Sequence, residues 1–251
     1  IYTQSRKIWG GKMSISGHML IADISGYTEF VRLHNLKKKP VFGKFMAANF
    51  ESHATTIISD LLETVIDNIE PTMKLNKLEG DAAFFFSEDN KEKGQEDSII
   101  SSMEKANDAF MKRVTELLFL QACGCEPCTQ SKNLRLKIVA HKGTFSLNKI
   151  RNFEELSGED VILTHRMLKN DIKSNEYWLV TESFHKNLNK KNKSRFSKVT
   201  QNLESFDLVK LNLAKFDSEE PKNEKVESRS RIRNWLIQAG YFGSAMLRKR
   251  S

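Results

Sequence analysis

A short apolar run, His18-Met19-Leu20-Ile21-Ala22, ends in Asp23 and is stopped by Ile24-Ser25-Gly26-Tyr27. Such a run reads as a buried strand closed by a tight turn, with an aspartate at its tip. An ionised carboxylate at the end of an apolar strand is costly unless it is solvated, paired or bound to a cation. The same question arises at Asp81, which stands between the extended runs Met73–Leu78 and Ala82–Phe86 in the turn Glu79-Gly80-Asp81 of an expected β-hairpin. Two such carboxylates converging from strand ends make a hard-oxygen site for Mg²⁺ or Mn²⁺. The alternative is a pair of turn aspartates capping backbone amides.

The rest of the chain alternates strand and helix signals. Helical spacing of Val41, Phe45, Ala48, Ile57, Leu61, Leu62 and Val65 predicts a long helix from about Pro40 to Ile69, closed by Pro71. Ile99, Met103, Ala106, Phe110, Val114, Leu117 and Leu118 mark the apolar face of a second helix over about Asp97–Gln121. Leu134–Ala140 alternates like a strand, and His141-Lys142-Gly143 is expected to turn it into Thr144–Ile150. A helix over Glu159–Lys169, a strand at Tyr177–Thr181, a short helix near Glu182–Leu188 and a strand near Phe206–Leu211 complete the pattern. This order predicts an α+β sandwich, a mainly antiparallel sheet with helices packed against it.

The expected division is an N-terminal arm (1–17), one domain (18–215) with a cysteine loop (122–133), and a basic linker and C-terminal helix (216–251). The 251 residues, 39% hydrophobic and 29% charged, can bury a core, and no apolar run approaches the ~18 residues of a membrane span. The chain opens on Ile1 without a signal-peptide pattern, so it is expected to begin inside a longer, cytoplasmic chain. The net charge is +8, and basic residues crowd Lys186–Lys198 and Arg229–Arg250. The tail reads either as a helix docked on its own domain or as a basic amphipathic helix for an anionic membrane surface or partner. Without a zinc-finger or helix-turn-helix signature, no specific nucleic acid is expected. Cys123, Cys125 and Cys128 fit a structural Zn²⁺ site, free thiols in a surface loop, or a redox pair or disulfide. Lys77, inside an apolar strand, is either a snorkelling surface lysine or a functional cation. The amides of Ile24, Ser25, Gly26, Tyr27 and Thr28 open a helix and could cradle phosphates.

Four of these segments resemble the class III adenylyl and guanylyl cyclase catalytic domain. Leu20-Ile-Ala-Asp-Ile-Ser-Gly-Tyr-Thr28 is similar to its apolar-Asp-Ile-x-Gly-Phe-Thr loop, and Lys77-Leu-Glu-Gly-Asp81 to its Lys-Thr-Ile-Gly-Asp hairpin. Ile138-Val-Ala-His-Lys-Gly143 resembles Ile-x-x-His-x-Gly, and Leu156-Ser-Gly-Glu-Asp-Val161 through Arg166 resembles Trp-Gly-x-x-Val-Asn-x-Ala-x-Arg. The cysteine loop and tail suggest a divergent, little-characterised bacterial branch.

The resemblance implies a ferredoxin-like sandwich that converts ATP to 3′,5′-cyclic AMP and pyrophosphate in a head-to-tail homodimer. It implies that Asp23, Asp81 and the backbone of Ile24 hold two Mg²⁺ or Mn²⁺ ions, with Ile24–Thr28 around the phosphates. Lys77 falls where adenylyl cyclases read adenine, Glu155 where they place its aspartate partner, and Arg166 where an arginine stabilises the transferring phosphoryl group. Ile162 stands where the family has an asparagine that orients the ribose, and isoleucine cannot donate a hydrogen bond. A catalytically impaired nucleotide- and metal-binding regulatory module is therefore the alternative, and a protein that acts through its basic tail a third reading.

Overall fold

A computed structural model describes residues 7–9, 12–34, 44–120 and 130–216, with isolated positions at 236 and 240. The cysteines at 123, 125 and 128 and nearly all of the C-terminal segment lie outside the described residues, so the zinc and tail readings are not addressed by it.

The sheet is built from β1 (Lys7–Trp9), β2 (Lys12–Ser25), β3 (Lys74–Glu79), β4 (Ala82–Glu88), β5 (Arg135–Ile150), β6 (Phe153–Ser157), β7 (Tyr177–Thr181), β8 (Ser197–Leu203) and β9 (Asp207–Lys215). Its order is β3-β4-β2-β5-β7-β9-β8, with β1 added to β2 and β6 to β5. All of these pairings are antiparallel except β5 with β7. The helices are α1 (Tyr27–His34), α2 (Lys44–Ile69), α3 (Gln95–Leu120), α4 (Glu159–Arg166) and the single turns α5 (Glu182–His185) and α6 (Lys190–Lys193). This is the expected α+β sandwich.

β2 is central and buried on both faces, which is why it reads as a continuous apolar run. Side chains alternate across a strand, so Leu20, Ala22 and Ile24 enter one core with Ile57, Leu61 and Val65 of α2 and Met103 and Phe110 of α3. Met19 and Ile21 enter the other, with Phe84, Val139, Val161 and Leu179.

The expected turn at His141–Gly143 is absent; β5 runs straight through it. Gly143 marks a close approach instead: a Cβ there would collide with the Asp160 carboxylate and the His141 ring. Asp160 accepts from the Thr144 amide at 2.6 Å and lies 3.1 Å from His141 Nε2, tying α4 to β5. The reversal falls at Arg151-Asn152, where Arg151 has φ 55°, and the following residues form β6. β8, also unforeseen, is a polar edge strand paired to β9.

Midway along β2, at His18, the buried Glu96 carboxylate receives Lys142 Nζ (2.9 Å) and Asn187 Nδ2 (2.9 Å), with His18 Nε2 at 3.1 Å. Burial works against its charge, yet the bonds from Lys142 and His18 hold its pKa down at about 2. A lowered carboxyl pKa stabilises the fold above the unfolded value near 4.5, and that contribution is lost as pH falls towards 2. Glu96→Gln is expected to cost about 2–4 kcal/mol in urea unfolding at neutral pH, because it leaves buried donors without their anion. The difference should shrink at pH 3; a pH-independent difference would count against the ionic origin.

Candidate functional site

Asp23 lies near the end of β2, in register with Ala82 of β4 and Lys137 of β5. Asp81 follows Gly80 in the β3–β4 turn, where Gly80 has φ 68°, a conformation glycine adopts without strain. The Ile24 amide donates to the Asp81 carbonyl at 3.1 Å, stitching this turn to the end of β2. The two carboxylates are thereby brought together. Burial, then the charge of Asp81, pushes the pKa of Asp23 up to about 6, with Lys137 partly offsetting both. Asp81 is also raised by burial, against a backbone hydrogen bond and Lys137.

β2 ends at Ser25, and Gly26 at φ 89° turns the chain into α1, where the Phe30 amide donates to the Gly26 carbonyl (3.0 Å). Ile24 and Ser25 are buried, Tyr27 is half-buried, and Gly26 and Thr28 are exposed. Ser25 Oγ is buried without a hydrogen-bond partner among the described residues. An orphaned polar atom beside two mutually repelling carboxylates fits a site that a cation and an anionic ligand would complete.

Lys77 and Glu155, separated by 78 positions, meet because β6 folds back on β5: Lys77 Nζ donates to Glu155 Oε2 at 3.1 Å. Lys77 also lies 3.2 Å from Glu79 Oε1, and Glu79 Oε2 lies 3.4 Å from His165 Nδ1 on α4. Arg166, in the last turn of α4, pairs with Glu204 Oε2 at 2.5 Å. Among the described residues no ion pair joins Arg166 to Asp23 or Asp81. Ile162, one turn earlier, is 52% exposed.

Sequence reasoning missed Lys137. It faces the same side of the sheet as Asp23, and its Nζ lies 5.7 Å from the Tyr177 ring centroid, a cation–π distance. The available signal was a lysine within the alternating run Leu134–Ala140, but only strand register sets it beside Asp23.

Residues 58–177 match the family described as a protein of unknown function, DUF2652. The uncharacterized protein Rv2561/Rv2562 of Mycobacterium tuberculosis is 39% identical over 127 residues, 50% of this chain and 57% of that protein. The chain thus spans little more than half the length of that curated relative. Among solved structures, the adenylyl cyclase CyaB of P. aeruginosa is similar at TM-score 0.57 and 12% identity, over 83% of this chain and 97% of that one. The guanylyl cyclase Cya2 is similar at TM-score 0.54 and 12% identity, over 84% and 97%. The fold is therefore that of class III cyclase catalytic domains. Among the described residues no helix is long and apolar enough to cross a membrane.

Proposed function

We propose that this chain is a nucleotide cyclase that converts ATP to 3′,5′-cyclic AMP and pyrophosphate in a site completed by a second copy of itself. The observation that carries this reading is the juxtaposition of Asp23 and Asp81, whose carboxyl pKa values are both raised. A carboxylate pair destabilised by its own repulsion gains most from a divalent cation. Asp23, Asp81 and the Ile24 carbonyl would hold two Mg²⁺ or Mn²⁺ ions. When bound, these ions supply charge neutralisation of the triphosphate and acidification of the ribose 3′-hydroxyl.

The chain's own groups supply the remainder. Lys137 adds a positive charge on the face of Asp23, where it already lowers the cost of ionising both aspartates. The buried Ser25 hydroxyl and the turn amides at Gly26 offer donors to phosphate oxygens. Lys77 can donate to adenine N1 while Glu155 accepts from the 6-amino group; guanine, with a carbonyl and an N–H at those positions, reverses both polarities. Among the described residues Arg166 pairs with Glu204, whose side chain is exposed, and such a surface pair is worth about 0–1 kcal/mol. It is free to exchange that partner for a phosphoryl group bound at the aspartates of the other copy, where a planar cation stabilises developing charge. Exposed apolar side chains support the pairing of copies: Leu78, Phe153 and Ile162 are 54%, 72% and 52% exposed on the elements that carry Lys77, Glu155 and Arg166.

A second reading has a specific observation behind it. Ile162 presents a hydrocarbon where a ribose-orienting donor is wanted, which favours a regulatory module that binds nucleotide without turning it over. Incubating the purified protein with ATP and Mn²⁺ separates the two. Cyclic AMP formed by the native chain and not by Asp23→Ala supports the enzyme; tight ATP binding without product supports the module. Absence of both would reject the two readings together.

A further inference from the structure

We propose that Glu79, braced by His165, is a positioning residue that fixes Lys77 and so sets which purine the site accepts. This rests on the reading of Lys77 and Glu155 as the base-recognising pair. It assigns a role to two residues to which the resemblance itself gives none.

A lysine ammonium is a point charge on a flexible four-carbon stem, with three equivalent N–H donors. Held by one carboxylate, it can swing through a wide arc and donate to a base acceptor at several places. Lys77 is held by two: Glu155 Oε2 at 3.1 Å and Glu79 Oε1 at 3.2 Å. Two anchored N–H bonds fix both the position of Nζ and the rotation about its last bond, so the third N–H points in one direction. Burial works against the Lys77 charge, but the bonds to Glu155 and Glu79 outweigh it and raise its pKa.

Glu79 is itself held. Its second oxygen lies 3.4 Å from His165 Nδ1, an arrangement that favours the tautomer with the proton on that nitrogen. The His165 ring packs edge-on against Phe84, at 4.9 Å between centroids, and Phe84 is part of the buried core on that face of the sheet. A rigid series therefore runs from the core through His165 and Glu79 to Lys77. The lone pairs on either side of the ammonium belong to carboxylates, leaving an acceptor–donor–acceptor edge. Adenine, with its amino donor next to a ring acceptor, matches that edge. Guanine needs Lys77 to shift towards its carbonyl, which the second carboxylate resists.

The test is equilibrium binding of ATP, GTP and inorganic tripolyphosphate, each with Mn²⁺, to the whole chain and to Glu79→Gln and His165→Phe. Glu79→Gln keeps shape but not charge; His165→Phe keeps the ring against Phe84 but not Nδ1. Loss of one charge-assisted bond to the fixed lysine is expected to lower the ATP:GTP affinity ratio about tenfold or more in Glu79→Gln. His165→Phe should move it in the same direction by less. Tripolyphosphate affinity should stay unchanged in both, a result that a general loss of structure would not give. An unchanged ATP:GTP ratio in both variants would overturn the inference while leaving the underlying reading intact, as would parallel loss of tripolyphosphate. If the native chain binds neither ATP nor tripolyphosphate, the reading of the site falls and the inference with it.

Discussion

Asp23→Asn should have opposite effects on the metal-free and the metal-bound protein. Without metal, the ionised Asp23 is a burden: its folded pKa is about 6 against 3.8 for the unconstrained group, because burial and Asp81 disfavour its charge. A raised carboxyl pKa leaves stability intact below about pH 3.8 and removes it as pH rises through about 6. The full shift corresponds to about 3 kcal/mol, and partial solvent contact reduces this to about 1–2 kcal/mol. In EDTA, Asp23→Asn is therefore expected to melt at the native temperature at pH 4 and several degrees higher at pH 7. With Mn²⁺ and ATP the order reverses, because ligand binding stabilises only the chain that can hold it. Cyclase activity should fall by roughly three orders of magnitude or more with the loss of metal-assisted charge stabilisation. Melting curves across pH, with and without Mn²⁺, check both halves; an Asn variant stabilised by Mn²⁺ as strongly as the native chain would remove Asp23 from the metal site.

The second large effect is a gain. Ile162→Asn should raise turnover by about 10²-fold, the amount typically lost when one donor to a transition state is removed. Ile162 is 52% exposed, so the polar replacement disturbs little packing. If asparagine supplies an interaction made only in the transition state, kcat rises while KM for ATP changes little. A rise in affinity without a rise in kcat would place position 162 in ground-state binding. No change in either would mean that α4 does not face the ribose.

Much of this molecule was legible in its sequence for one physical reason: burial on both faces writes itself as a continuous apolar run. β2 and β4 show it, and the aspartates beside them stand out because charge there needs explaining. β6 escaped notice because Phe153-Glu-Glu-Leu-Ser157 is largely exposed, and only Leu156 enters the core. Yet the pairing of β6 with β5 is what brings Glu155 to Lys77. β8 was missed likewise, since a polar edge strand has no apolar period to read. Gly143 misled in the opposite direction, because a glycine required by an approaching carboxylate looks in sequence like one required by a turn. Lys137, Glu79 and His165 became visible only through register and tertiary contact. Nothing local in the chain marks a lysine that stands across from an aspartate on the neighbouring strand.

The proposed function requires first that Asp23 and Asp81 hold divalent metal together with a nucleoside triphosphate. Calorimetric titration of a non-cyclisable ATP analogue, in the presence and absence of Mn²⁺, into the native chain, Asp23→Ala and Asp81→Ala measures it independently of turnover. The prediction is saturable binding that requires Mn²⁺ in the native chain and is lost in both variants. Absence of binding to the native chain, or binding that survives either substitution undiminished, would contradict it.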